Sequence, residues 1–201
     1  MTGTGLLLRA LHDATDPPLR PLPGEAAELL CRLAAPPRLA AHLRAVHDVA
    51  HQLADWLARR HPGLPFDREA ALFGAATHDV GKVLHTGELT GAGSRHEEAG
   101  RELLLEHGIG PRLARFAATH ASWADKAAGS AAGIEDLLVS LADKVWKNKR
   151  VPDLEDLFVA RLAAAGGRAA WEEFLELDEL LTAIGEGADA RLAFQASYPV
   201  R

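Results

Sequence analysis

The histidines and acidic residues of this chain are the side chains best suited to chemistry. Ten histidines and 28 aspartate and glutamate residues occur in 201 positions. Six of these side chains fall on predicted helices or at helix ends: His47, His78, Asp79, His96, His120 and Asp143. Only His78 and Asp79 are adjacent, and the others lie on separate helices. Neutral imidazoles and carboxylates are common transition-metal ligands, and a bound cation offsets the cost of burying carboxylates. The six residues therefore predict a metal site, with donors that favour Fe, Mn, Co, Ni or Zn over Ca or Mg.

The donor set leaves the number of ions open. His47, His78, Asp79 and Asp143 are enough for one ion with free positions for water and substrate. With His96 and His120 added, the donors could hold two ions about 3.5–4 Å apart, bridged by Asp79. The sequence thus predicts one or two divalent transition-metal ions.

Short helices must bring these residues together. An apolar stripe at helical spacing runs through Leu39, Leu43, Val46, Ala50, Leu53 and Leu57. His47 follows Val46 directly, so we expect it at the interior margin of that helix. Other helices are predicted over residues 25–34, 67–79, 94–107, 111–120, 134–146, 153–165 and 171–184.

Several local signals support these boundaries. Asp67 and Asp153 are predicted helix caps, and Ser94 with Glu97 has the spacing of a capping box. Residues 122–133 are small and polar and predict a loop. No alternating run of strand length is present. The chain is therefore predicted to be all-α, a single globular bundle of about eight helices.

Prolines and composition set the expected organisation. Residues 1–23 contain four prolines and are predicted to be a tail, strand or loop. Residues 24–150 are expected to form the domain with the metal site, and residues 151–201 to add C-terminal helices packed on the same domain.

The charge and cysteine content exclude several classes of protein. The net charge of −6 argues against a general nucleic-acid coat, and one cysteine excludes a disulfide framework. No apolar run is long enough for a signal peptide or a membrane span. We therefore expect a cytoplasmic protein that binds neither a nucleic-acid polymer nor a membrane.

Two segments carry a family resemblance. Residues 75–82, Ala-Ala-Thr-His-Asp-Val-Gly-Lys, and residues 141–144, Leu-Ala-Asp-Lys, resemble the hallmark segments of the HD-domain metal-dependent phosphohydrolase superfamily. With His47 taken as the upstream histidine, the resemblance covers about residues 39–150. His96 and His120 resemble the extra histidines of the dinuclear branches, which include the HD-GYP phosphodiesterases and the di-iron diadenosine tetraphosphate hydrolases. The chain lacks Gly-Tyr-Pro at the expected place, which argues against cyclic dinucleotide cleavage.

The resemblance implies an HD-domain bundle that hydrolyses a phosphate ester or anhydride in a small metabolite or nucleotide, by attack of metal-bound hydroxide. Asp79 would orient the nucleophile, and Lys82 would contact phosphate or protonate the leaving group. Further substrate-binding cations are expected from Arg95, Lys144, Lys147 and Arg150.

Two alternatives stay open. A di-iron HD-type oxygenase that cleaves a carbon bond with O₂ would use similar ligands, and an inactive binding module would retain the fold. The expected partners are a small phosphorylated substrate and, through the C-terminal helices, a second copy of the chain. His12, His42, His61 and His107 are predicted to be surface or core residues without a ligand role.

Overall fold

The computed structural model describes residues 3–121 and 133–200. Within those residues the chain forms ten α-helices and no strand, which confirms the all-α class with slightly more helices than expected. The helices are α1 Gly3–His12, α2 Gly24–Arg32, α3 Pro37–Arg60, α4 Arg68–Thr77, α5 Arg95–Glu106, α6 Pro111–Thr119, α7 Ile134–Val145, α8 Pro152–Gly166, α9 Ala170–Glu186 and α10 Ala188–Ala196. Two short 3₁₀ helices, Val80–Val83 and Thr86–Leu89, lie between α4 and α5. Of the loop predicted over residues 122–133, all but Gly133 lies outside the described residues.

The long helix α3 is the centre of the molecule. The six residues of its apolar stripe, from Leu39 to Leu57, are buried, as expected for a helix surrounded on most sides. One apolar cluster joins the C-terminal half of α3 to α4, α7, α8 and α9, and a second joins its N-terminal half to α1, α2, α5 and α6. Every helix that carries a predicted metal ligand therefore packs against one of these two clusters.

The N-terminal segment differs from the expected tail. Residues 3–12 form α1, with Leu7 and Leu11 buried against α3. The four prolines begin only at Pro17, so they prevent a continuous helix through residue 23 but not this short one. The buried Arg44 of α3 donates hydrogen bonds to the carbonyls of this segment, those of Ala10, Asp13, Leu19 and Arg20. These bonds hold residues 3–20 to the helical domain.

Some helix ends also differ from the sequence signals. The side chain of Asp67 caps α4 by accepting a hydrogen bond from the Ala70 amide at 3.0 Å, as predicted. Ser94 precedes α5 but makes no side-chain cap, because Glu88 accepts hydrogen bonds from the first amides of that helix instead. Helix α8 follows Val151 and already includes Asp153, which is therefore not its cap.

The C-terminal helices pack on the larger apolar cluster. Leu154 and Phe158 of α8 and Leu181 of α9 are buried there with residues of α3 and α7. Helix α8 ends at Gly166 and is followed by Gly167, whose φ of 68° is readily adopted by glycine. No helix in the described ranges is long and apolar enough to cross a membrane.

Candidate metal centre

Asp79 lies at the centre of a buried cluster of histidines. It follows His78, the residue that caps the C-terminus of α4, and it is almost fully buried. Its Oδ2 lies 3.0 Å from His42 Nε2 and 3.6 Å from His78 Nε2. Its Oδ1 lies 3.0 Å from His96 Nε2 and 3.6 Å from His120 Nε2. The two carboxylate oxygens thus face two different pairs of imidazoles.

Asp143 of α7 joins the first of these pairs. Its Oδ1 lies 3.5 Å from His78 Nε2 and 3.9 Å from His42 Nε2. Donor atoms that share one ion with bonds of about 2.1 Å are separated by about 3.0–3.4 Å in tetrahedral or octahedral arrangements. Two groups of three residues have donor atoms within 4.8 Å of one another: His42, His78 and Asp143, and His78, Asp79 and His120.

Hydrogen bonds on the far side of the rings orient three of the imidazoles. His78 and His120 each donate Nδ1–H to the carbonyl three residues earlier in the chain, at 2.9 Å and 3.0 Å. His96 donates Nδ1–H to Glu88 Oε2 at 2.6 Å. Because carbonyl and carboxylate oxygens only accept, Nδ1 carries the proton and the Nε2 lone pair can face a cation.

The unsatisfied atoms of the cluster fit a metal. Nε2 of His42, His78 and His96 is buried and has no hydrogen-bond partner in the part of the chain that the structure describes. A buried polar atom without a partner costs about 1–3 kcal/mol, which coordination of a cation would offset. The imidazole and carboxylate donors suit Fe, Mn, Co, Ni or Zn.

The structure places His42, and not His47, in this cluster. His47 is buried on α3, but its ring packs 6.0 Å from that of His51, and it makes none of the cluster contacts above. With 3.6 residues per turn, His47 is rotated about 100° from Val46. His42 lies three residues after Leu39 and four before Val46, so it shares their face. The apolar stripe therefore already contained the signal for His42.

The other five predicted ligands, His78, Asp79, His96, His120 and Asp143, are brought together. The family model described as HD domain matches residues 39–146, more than half of the chain and all six clustered side chains. The chain belongs to the HD domain family. No curated protein and no solved structure matches it. Membership of this family, together with the His/Asp cluster, indicates metal-dependent phosphohydrolase-type activity.

Burial and charge give His42, His120 and Asp79 the protonation states that metal binding needs. Burial lowers the pKa of His42, and it lowers that of His120 to about 4. Burial alone would raise the pKa of Asp79, but His78, His42 and His96 hold it well below its usual range. Near neutral pH these two imidazoles are therefore neutral and the carboxylate is charged.

Asp143 and His96 also depart from their ordinary values. Burial would raise the pKa of Asp143, but His78 and Lys144 outweigh it and hold the pKa low. Burial would lower the pKa of His96, yet the neighbouring carboxylates of Asp79 and Glu88 raise it overall. The His96 bond in turn lowers the pKa of Glu88 to about 2. Glu88 is therefore a carboxylate at neutral pH.

Several of the predicted cations lie at the edge of the HD centre. Lys82 Nζ is 2.5 Å from Asp79 Oδ2, and Lys144 Nζ is 2.6 Å from Asp143 Oδ2. Their side chains are 17% and 20% exposed, so both ammonium groups are accessible to solvent. Lys147 is exposed beside Trp146, whose ring packs 4.9 Å from that of His42.

The two predicted arginines differ. Arg95 is exposed at the start of α5, next to His96, with its guanidinium 3.6 Å from Glu88. Arg150 is not brought to the centre. Its guanidinium lies 2.6 Å from Glu155 and 2.7 Å from Asp178, where it joins α8 to α9. These ion pairs engage the Arg150 guanidinium between two C-terminal helices.

Proposed function

We propose that this HD domain hydrolyses a phosphate ester or anhydride in a small metabolite or nucleotide. The clustered side chains would hold two metal ions, and Asp79 would contribute to both positions. The observation that carries the proposal is the division of the two Asp79 oxygens between two sets of histidines. One set, His42 and His78, is joined by Asp143.

The two sets would differ in their protein ligands. The first position would be held by His42, His78, Asp143 and Asp79, and the second by His96, His120 and Asp79. Fewer protein donors at the second position leave more room for water or substrate oxygens. The ions would be divalent transition metals, with Fe, Mn, Co, Ni and Zn as the candidates.

When bound, such ions neutralise charge on phosphoryl oxygens and lower the pKa of coordinated water. The chain supplies the remaining interactions. Asp79 is buried and charged, so its oxygens are fixed acceptors that can orient an attacking water. Lys82 Nζ, 2.5 Å from Asp79, can contact a phosphoryl oxygen as a point charge or donate its proton to the leaving oxygen.

The distribution of charge supports a small anionic substrate. The chain carries a net charge of −6, yet Lys82 and Lys144 contact carboxylates of the cluster. Lys147 lies over the Trp146 ring, and Arg95 directly precedes His96. A local cationic rim on an acidic protein favours a compact phosphate over a long polyanion, which requires an extended basic surface.

A phosphatase screen tests this function. Nucleotides and sugar phosphates are assayed for phosphate release with Mn²⁺, Fe²⁺, Co²⁺, Ni²⁺ and Zn²⁺, while oxygen uptake is followed in parallel. We expect metal-dependent phosphate release that is lost in Asp79→Ala and retained in Asp153→Ala, which alters an exposed aspartate of α8. Full activity in folded Asp79→Ala would refute the proposal. Metal-dependent oxygen uptake without phosphate release would refute it in favour of the oxygenase.

A further inference from the structure

A partly buried glutamate outside the six clustered residues is directed at one of them, His96. Glu88 lies on the 3₁₀ helix Thr86–Leu89, and its side chain is only 8% exposed. Its Oε2 accepts hydrogen bonds from His96 Nδ1 at 2.6 Å and from the His96 amide at 3.1 Å. Its Oε1 accepts from the Arg95 amide at 3.3 Å. One side chain therefore caps α5 and fixes an imidazole of the centre.

His96 depends on Glu88 because of its position in the chain. His78 and His120 stand at the ends of α4 and α6, where the carbonyl three residues earlier belongs to the helix and can orient the ring. His96 is the second residue of α5, so no helical carbonyl precedes it at that distance. The carboxylate from the preceding segment takes the place of that carbonyl.

Gly93, in the segment between the second 3₁₀ helix and α5, lies close to this carboxylate. A Cβ atom at Gly93 would overlap the Glu88 carboxylate group and lie 2.5 Å from its Cδ. Gly93 therefore leaves the space that the Glu88 carboxylate occupies. The conformation of residues 86–94 and the orientation of the His96 ring are consequently linked through one hydrogen-bonded group.

We propose that Glu88 is the positioning residue of the second metal position. Through Glu88, binding of an ion at that position is coupled to the observed conformation of residues 86–94. This proposal rests on the two-ion site of the proposed function. Glu88 holds the His96 ring with Nε2 towards Asp79 Oδ1, 3.0 Å away, and adds negative charge behind the imidazole. Because such coupling is reciprocal, an ion at His96 stabilises this conformation of residues 86–94 by the same free energy as the conformation stabilises the bound ion.

The test measures metal binding directly. Metal-free wild type, Glu88→Gln and Gly93→Ala are titrated with Co²⁺ against a competing chelator, and bound ions are counted per chain. Glu98→Gln serves as the matched control, since Glu98 lies on the exposed face of α5 and pairs with Arg101. We expect two ions in the wild type and the control. In Glu88→Gln and Gly93→Ala, the second ion should bind about 10–100-fold more weakly while the first is unchanged.

Hydrogen exchange provides a second readout that a purely structural role would not change. Amides of residues 86–97 should gain protection when the wild type takes up its second ion, and this gain should be absent in Glu88→Gln. Two ions bound with wild-type affinity by Glu88→Gln would overturn the role of Glu88 and leave the proposed function intact. Equal weakening of both ions would overturn it too. A wild type that binds only one ion would overturn the two-ion site and this proposal together, whereas phosphate release is judged separately.

Discussion

Replacing His42 and His47 one at a time by glutamine should separate two roles that lie five residues apart on α3. His42 faces Asp79 Oδ2 at 3.0 Å, so His42→Gln removes a donor from the first metal position. Tetrahedral zinc sites bind with about 10–16 kcal/mol over four ligands, or about 3 kcal/mol for each. We therefore expect His42→Gln to weaken the first ion by about 100-fold, and His47→Gln to keep wild-type metal content.

His47 should instead affect stability in acid. Burial, with a smaller contribution from His51, lowers the pKa of His47 from 6.5 to about 4. Because the pKa is depressed in the folded chain, the unfolded chain takes up the proton first, and stability falls as the pH decreases from 6.5 to 4. That interval corresponds to about 3 kcal/mol, of which about 2 kcal/mol falls between pH 7 and pH 4.5. His47→Gln should remove this part of the acid sensitivity.

The assay combines metal analysis with urea unfolding. Metal content is measured on protein purified without chelator, and the free energy of unfolding is measured with chelator at pH 7 and pH 4.5. If His47→Gln lost metal and His42→Gln retained it, the assignment of His42 rather than His47 to the metal cluster would be refuted. The burial argument would fail if His47→Gln lost as much stability in acid as the wild type; His47→Leu, an apolar replacement, provides a second comparison.

Further predictions concern three other contacts. In Gly81→Ala the added Cβ would overlap the backbone of α5 and lie 2.6 Å from the Gly100 amide nitrogen. The free energy of unfolding in urea should therefore fall by about 3 kcal/mol. In the control Gly87→Ala, where the Cβ meets open space, it should fall by less than about 1 kcal/mol. Lys82→Met should lower kcat about 100-fold without changing metal content in the loaded enzyme, and equal kcat would exclude its catalytic role. Arg44→Met should leave four carbonyls without their hydrogen-bond donor and lower the free energy of unfolding in urea by about 3 kcal/mol. Residues 3–20 should also be cleaved faster by protease. An unchanged urea midpoint would contradict the role of this arginine.

The sequence was most informative for helices with a strong apolar period. Helices α3, α6 and α7 lie close to their predicted positions because their stripes and proline or glycine boundaries are local features. Helices α1 and α10 were not predicted. Each is short, and α1 is held by Arg44 of α3, a contact that local sequence does not reveal. Tertiary contacts stabilise helices that are too short to be stable alone.

In the metal cluster, too, local sequence features were predictable and tertiary contacts were not. His78, Asp79 and Asp143 lie in short segments whose residue types indicate metal binding, and the structure brings them together. The choice between His42 and His47 required the rotational phase of α3, which adjacency to Val46 does not give. Glu88 could not be found in this way, since its role depends on how the segment before α5 folds around its carboxylate.

The charge balance of the cluster explains why anion recognition and metal binding should depend on each other. Without ions, the carboxylates of Asp79 and Asp143 are matched by the ammonium groups of Lys82 and Lys144, so these four side chains carry no net charge. Each bound divalent ion would add two positive charges inside a chain whose net charge is −6. The Asp oxygens would then be shared between an ion and a lysine, which weakens their hold on the ammonium groups. A phosphate would therefore meet a cationic centre and two less tightly paired lysines only when metal is present, and substrate affinity as well as turnover would fall when the metal is removed.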